Sequence, residues 1–138
     1  MSYPYIDTSV IIRLLTGDDP DKQQRSRELF ERVEQGKLGL AAPVTVIADA
    51  VYVLSSSRLY KRPRDEVAAL LTPLVRLPGF HVQNRRAVLA ALQLYGTTSK
   101  LDFGDAFLAT SMQQAGSTTI YAYDTDFDRL AGITRNEP

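Results

Sequence analysis

Short apolar runs suited to β-strands alternate along this chain with longer segments at helical spacing, and that alternation limits the possible folds severely. Residues 3–6, LGLAAP from Leu38, GFHV from Gly79 and TIYAY from Thr119 read as strands, with a last short strand expected to start at 133–134. Residues 8–16, ended by Gly17, read as the first helix. DDPDKQQRSRELFERVEQG opens on aspartates and a proline and closes on glycine, the asymmetry expected of a second helix. VTVIADAVYVLSSS from Val44 is apolar almost throughout and reads as a buried helix. Residues 64–76, RRAVLAALQLYG capped by Asn84, and LDFGDAFLATSMQQAG from Leu101 complete the helical set. Strands alternating with helices predict an α/β fold, its mostly parallel central sheet covered on both faces. With no repeat, low-complexity tract or long linker, residues 1–138 are expected to form a single domain. In such sheets ligands bind at the carboxyl ends of the strands, and both Asp7 and Asp124 sit at such an end.

Composition excludes several chemistries. There is no cysteine, so disulfides, thiolate metal sites and cysteine nucleophiles are ruled out, in keeping with a reducing cytoplasm. The single histidine, His81, rules out histidine-rich metal sites and is expected to be an ordinary strand-end residue. Net charge is zero, so bulk charge points to neither nucleic acid nor membrane. The expected protein has no membrane span and no secretory signal.

The informative residues are aspartates. The five glutamates, Glu28, Glu31, Glu34, Glu66 and Glu137, fall on exposed-looking helices or in the tail. Asp18, Asp19, Asp21 and Asp65 lie at helix starts, where a carboxylate caps free N–H groups and favours the helix dipole. Asp7 directly follows a strand, either as the N-cap of the first helix or as part of a site. Asp49 interrupts an apolar helix, and a buried carboxylate needs a partner. Asp102 and Asp105 share a helix face; Asp102 is the simpler cap, which leaves Asp105 beside Ala106, Phe107 and Leu108. Asp124, Asp126 and Asp128 crowd one turn.

Asp7, Asp49, Asp105 and Asp124 each begin or interrupt a buried element, and a parallel sheet lets them converge at one edge. Converging carboxylates repel unless a cation joins them. Mg²⁺ or Mn²⁺ favours oxygen ligands and needs only a few carboxylates besides water and phosphate. Such a centre suits phosphodiester hydrolysis.

These stretches resemble the PIN-domain family, and within it the VapC-type toxin ribonucleases. The resemblance rests on YIDTSVIIRLL with Asp7, VTVIADAVYVL with Asp49, LDFGDAFLATSMQQAG with Asp105 and YAYDTDFDRL with Asp124, in that order. It implies a three-layer α/β/α sandwich. It implies a Mg²⁺- or Mn²⁺-dependent endoribonuclease with Asp7 and Asp105 as main metal ligands. Asp49 and Asp124 would complete the acidic pocket, with Asp126 a candidate for the last role and Thr8 or Ser9 for a hydroxyl. It also implies a homodimer restrained by an antitoxin protein. One departure stands out: the family usually has glutamate where Asp49 stands, one carbon longer in reach. An inactive PIN scaffold that binds RNA or a protein is therefore the alternative. A phosphotransfer domain fits less well, because Ser9 stands where an aspartate-nucleophile phosphatase would need its second aspartate.

RNA reaching an acidic pocket needs flanking positive charge. Arg13 and Lys100 lie nearest the acids in sequence; Lys61, Arg62, Arg64, Arg85 and Arg86 are further candidates. Tyr52, Tyr60 and Phe103 could stack on bases, although core packing is the expectation for Tyr52 and Phe103.

Overall fold

The computed structural model describes residues 2–138. The helices are α1 (Thr8–Leu15), α2 (Pro20–Glu34), α3 (Val44–Ser55), α4 (Arg64–Arg76), α5 (Arg85–Thr97) and α6 (Phe103–Gln114). The strands are β1 (Leu40–Ala42), β2 (Phe80–Val82), β3 (Thr119–Tyr121) and β4 (Thr134–Asn136), and a 3₁₀ turn spans Thr125–Arg129. Among the described residues no helix is long and apolar enough to cross a membrane.

The α/β alternation is present and the strand pairs are parallel. β1 pairs with β2, placing Ala41 opposite His81, and β3 pairs with β4, placing Ile120 opposite Arg135. The N-terminal segment joins the free edge of β1. The Ile6 amide donates to the Ala41 carbonyl (3.1 Å), and the Ala41 amide donates to the Pro4 carbonyl (2.9 Å). Residues 3–6 are thus an extended edge segment with one bridge, Tyr5 to Ala41, and not the buried strand expected from sequence. Only Ile6 is buried; Tyr3, Pro4 and Tyr5 are exposed. Helical cover is incomplete on the face that carries Tyr3, Tyr5 and His81.

The core forms where helix periodicity aims apolar residues inward. Val67, Leu71 and Val75 recur every fourth residue of α4 and are fully buried. Ile47, Ala50, Val51 and Leu54 do the same for α3, and Val88, Ala91, Leu92 and Tyr95 for α5. Phe30 of α2 meets Phe80 of β2 edge to face, with ring centroids 5.6 Å apart. Full burial of each valine, leucine, isoleucine or phenylalanine among them contributes about 1.5–3 kcal/mol over leaving it in water. α4 and α5 pack closely at Gly96, where a Cβ would lie 2.9 Å from that of Ala68.

Two arginines proposed from sequence as RNA contacts instead hold this frame. Arg64 donates to the carbonyls of Tyr95 and Leu101 and lies over the Tyr95 ring, 4.5 Å from its centroid. Arg85 donates to the carbonyls of Leu77 (3.0 Å) and Phe80, tying the start of α5 to β2. Both guanidiniums replace water at carbonyls left open by element ends.

Helix ends follow side-chain chemistry with two differences. Asp19 accepts from the Lys22 amide (3.1 Å), with Pro20 in the first turn. α1 stops at Leu15, one residue early: Thr16 is extended, and its hydroxyl donates to the Ile12 carbonyl (2.7 Å). Asn84 occupies the N-cap position of α5 in a left-handed conformation (φ 55°), and its side chain makes no capping hydrogen bond. Asparagine tolerates that conformation, so it serves here as a turn residue.

Candidate metal centre

Two chain segments bring carboxylates together. At the start of α6, Asp102 is the N-cap: its Oδ1 accepts from the Asp105 amide (2.9 Å). That bond orders the first helical turn and presents the Asp105 side chain. After β3, Asp124 caps the 3₁₀ turn by accepting from the Asp126 amide (2.8 Å), and buried Phe127 anchors the turn in the core. One oxygen from each of Asp105, Asp124 and Asp126 lies within 4.8 Å of the others.

The electrostatics of this group are strained. Asp105 is half-buried, and its carboxyl is pushed above the usual range, first by desolvation and then by the charges of Asp102, Asp124 and Asp126. A hydrogen bond to Asp124 acts in the same direction. One cation reaches the group: Arg129 donates to Asp126 Oδ1 (3.2 Å) and to the Ser99 carbonyl (3.3 Å). Asp128, next along the turn, faces away and pairs with Arg135, whose Nε lies 2.9 Å from its Oδ1.

Of the four aspartates singled out by sequence, the structure brings Asp105 and Asp124 together and adds Asp126. Asp7 and Asp49 stand outside that group. Asp7 occupies the N-cap position of α1 without a regular capping bond, and its Oδ2 accepts from the Ser9 hydroxyl (2.9 Å). That hydroxyl, followed by the Thr8 and Ser9 amides, holds its carboxyl below the usual range. The expected burial of Asp49 is corrected: Asp49 is exposed. It lies on the outward stripe of α3 with Thr45 and Tyr52, also exposed, at i, i+4 and i+7. Tyr52 therefore does not pack in the core, whereas Phe103 does. The Thr–Asp–Tyr spacing was the available sequence signal, obscured by the apolar residues between.

The basic candidates are dispersed. Arg13 reaches Asp18 (3.4 Å), a carboxylate that also accepts from the Tyr60 hydroxyl (2.7 Å) and the Thr16 hydroxyl (2.9 Å). Lys100 is exposed in a left-handed conformation (φ 65°) two residues before the Asp102 cap. Arg62 pairs with Glu66. Lys61 and Arg86 are exposed, and His81 is an exposed strand residue.

Three carboxylates without enough positive charge, two of them half-buried, suit a hard divalent cation that prefers oxygen. A family model described as PIN domain matches residues 5–133. The chain belongs to the PIN domain family. PIN domains are generally metal-dependent nucleases, and the parallel strands with surrounding helices are of this family's α/β type. No curated protein matches this PIN domain.

Proposed function

We propose that this PIN domain is a Mg²⁺- or Mn²⁺-dependent endoribonuclease and the toxin of a toxin–antitoxin pair, as its resemblance to VapC-type proteins suggests. The observation that carries the reading is the Asp105–Asp124–Asp126 group, whose mutual repulsion a divalent cation would relieve. A bound ion would supply Lewis acidity to water and compensate charge at the scissile phosphate. Asp105, Asp124 and Asp126 would hold it. The Asp102 cap would keep Asp105 oriented, and the Phe127 anchor would keep the other two in place. Arg129 is positioned to limit repulsion in the metal-free site.

The purified protein, free of any partner, is expected to cut RNA with Mg²⁺ or Mn²⁺ and to stop in EDTA. Undiminished cleavage in EDTA would sink the metal mechanism. A second reading, an inactive scaffold that binds RNA or a protein, draws on Asp7 and Asp49 standing outside the acidic group. Metal titration followed by an RNA cleavage assay separates the two: a scaffold binds RNA with no metal-dependent cutting.

The proposal extends to a homodimer and an antitoxin. Leu59 is exposed, and Leu29 with Val10 lines a groove of about 450 Å³ between α1 and α2. Phe30, next to Leu29 in α2, lies in the core and adds nothing to this surface. Light scattering at micromolar concentration tests the dimer; a single species at 15.3 kDa defeats it. A small reading frame next to the gene would support the antitoxin.

A further inference from the structure

One guanidinium ties together the two segments that supply the acids. Arg129, at the end of the 3₁₀ turn, donates through one nitrogen to Asp126 Oδ1 (3.2 Å) and through another to the Ser99 carbonyl (3.3 Å). Ser99 stands 30 residues earlier, in the stretch that leads to the Asp102 cap and Asp105. Other arginine–carboxylate pairs are local: Arg25 with Asp21, and Arg62 with Glu66, join residues four apart in sequence. Gln113 also bonds the C-terminal segment, at the Ala131 carbonyl (3.4 Å), but from the last turn of α6, at the other end of the helix from Asp105.

The stretch that Arg129 holds is strained. Lys100 adopts φ 65°, a left-handed conformation that a lysine disfavours. Such a conformation persists where neighbouring contacts over-determine it. Here arginines hold the carbonyls on both sides of Lys100: Ser99 by Arg129, and Leu101 by Arg64. Arg64 is itself seated on the Tyr95 ring of α5. Directly after this clamp, Asp102 caps α6 and sets the first turn that carries Asp105.

We propose that Arg129 is a positioning residue of the metal centre, holding Asp126 in register with the Asp105 segment so that the ligands are assembled before an ion binds. The inference rests on the metal-dependent nuclease reading and adds a residue to it. Three arguments favour positioning over charge balance alone. A guanidinium is a flat fork of separate donors and bonds two acceptors in fixed directions, whereas a lysine ammonium is a point charge on a flexible stem. The second acceptor, the Ser99 carbonyl, is neutral, and a counter-charge gains nothing from so distant an anchor. Buried Phe127 fixes the depth of the turn, but apolar contact has no direction, and the hydrogen bonds of Arg129 supply one. The side chains of Arg129 and Asp126 are 43% and 37% exposed, so their pairing adds little to global stability and its effect is local.

The test is Mn²⁺ binding to the full chain by isothermal titration calorimetry, with Arg129→Ala and Arg129→Lys. Charge alone predicts tighter binding in Arg129→Ala, because a cation beside the incoming ion has been removed. Positioning predicts the opposite sign: Mn²⁺ affinity should fall about tenfold, the low end of the losses seen when a group that orients a metal ligand is removed. Arg129→Lys keeps the charge and loses the fork, so its affinity should fall alongside. In EDTA, Tm should drop by no more than about 4 °C in either variant, as for an exposed pair. Amide hydrogen exchange in EDTA should quicken over residues 99–105 and 124–129 in both variants and stay unchanged in α4. The proposal is overturned if Arg129→Ala binds Mn²⁺ as tightly as wild type or more tightly, or if Arg129→Lys restores wild-type affinity. A much larger loss of Tm, with exchange quickened along the whole chain, would make Arg129 a residue of the fold and overturn it too. Wild-type protein that takes up no Mn²⁺ would end the metal reading and this inference together. The expected losses of affinity in a protein that cuts no RNA would end the nuclease reading and leave Arg129 its role.

Discussion

Asp18, in the turn between α1 and α2, is surrounded by donors: the Tyr60 and Thr16 hydroxyls and the Arg13 guanidinium. Its carboxyl is held below the usual range, chiefly by the tyrosine hydroxyl and then by that of threonine. Asp105, in the first turn of α6, is half-buried and faces three other carboxylates, and its carboxyl is pushed up. Both residues sit near helix starts, where sequence alone assigns a cap. The difference lies in what surrounds them. A carboxylate whose charge is satisfied by the fold joins elements of structure, here the loop carrying Tyr60 to the α1–α2 turn. A carboxylate left in repulsion is a site that a cation completes.

The sharpest way to break this contrast is to supply the cation. If Asp105, Asp124 and Asp126 bind Mn²⁺, free ion at a hundred times its Kd should stabilise the fold by about 2.7 kcal/mol. Differential scanning fluorimetry should record a rise in Tm that shrinks sharply in Asp105→Asn and is retained in Asp18→Asn. Equal metal shifts in both variants would erase the distinction. Next in size is catalysis. Asp105→Asn should lower RNA cleavage at least tenfold, about 1.4 kcal/mol of barrier, in a single-turnover assay. Wild-type rates in that variant would move the chemistry elsewhere.

pH separates the two environments by sign. Asp105, with its raised folded-state pKa, binds more protons folded than unfolded. Without metal, stability should therefore fall as pH rises from its unfolded pKa through its folded one. Asp18 and Asp7 are lowered, so their contribution is present above the unfolded pKa and lost as pH falls through the folded values. Urea melts in EDTA across the acidic range should show the first slope disappear in Asp105→Asn and persist in Asp18→Asn. The smallest effect belongs to Asp49. Because it is exposed, Asp49→Asn should change stability by less than about 0.5 kcal/mol in a thermal melt, far below the roughly 3–5 kcal/mol of a broken buried ion pair. A larger loss would show that this carboxylate has a partner the exposed stripe does not provide.

Much of this molecule was legible in its sequence because the signals are local. Helical periodicity placed α4, α5 and α6, and the Asp19 and Asp102 caps mark helix starts because a short acceptor must face free amides one turn on. Parallel strands were expected because helices separate them, and β1 and β2 do pair in parallel across a connection that carries α3 and α4. What sequence could not decide was which surfaces another element covers. Asp49 sits in an apolar run and still faces water, because a helix can be apolar on three sides and open on the fourth. Arg64 and Arg85 look like free surface charge and are spent on carbonyls; Tyr5, Tyr121 and Tyr123 look like core and are exposed. The union of Asp126 with Asp105 and Asp124, and the exclusion of Asp7 from it, depend on segments about twenty residues and almost a hundred residues apart. Periodicity orients a side chain relative to its own backbone, but burial and charge depend on what the rest of the chain brings to that side.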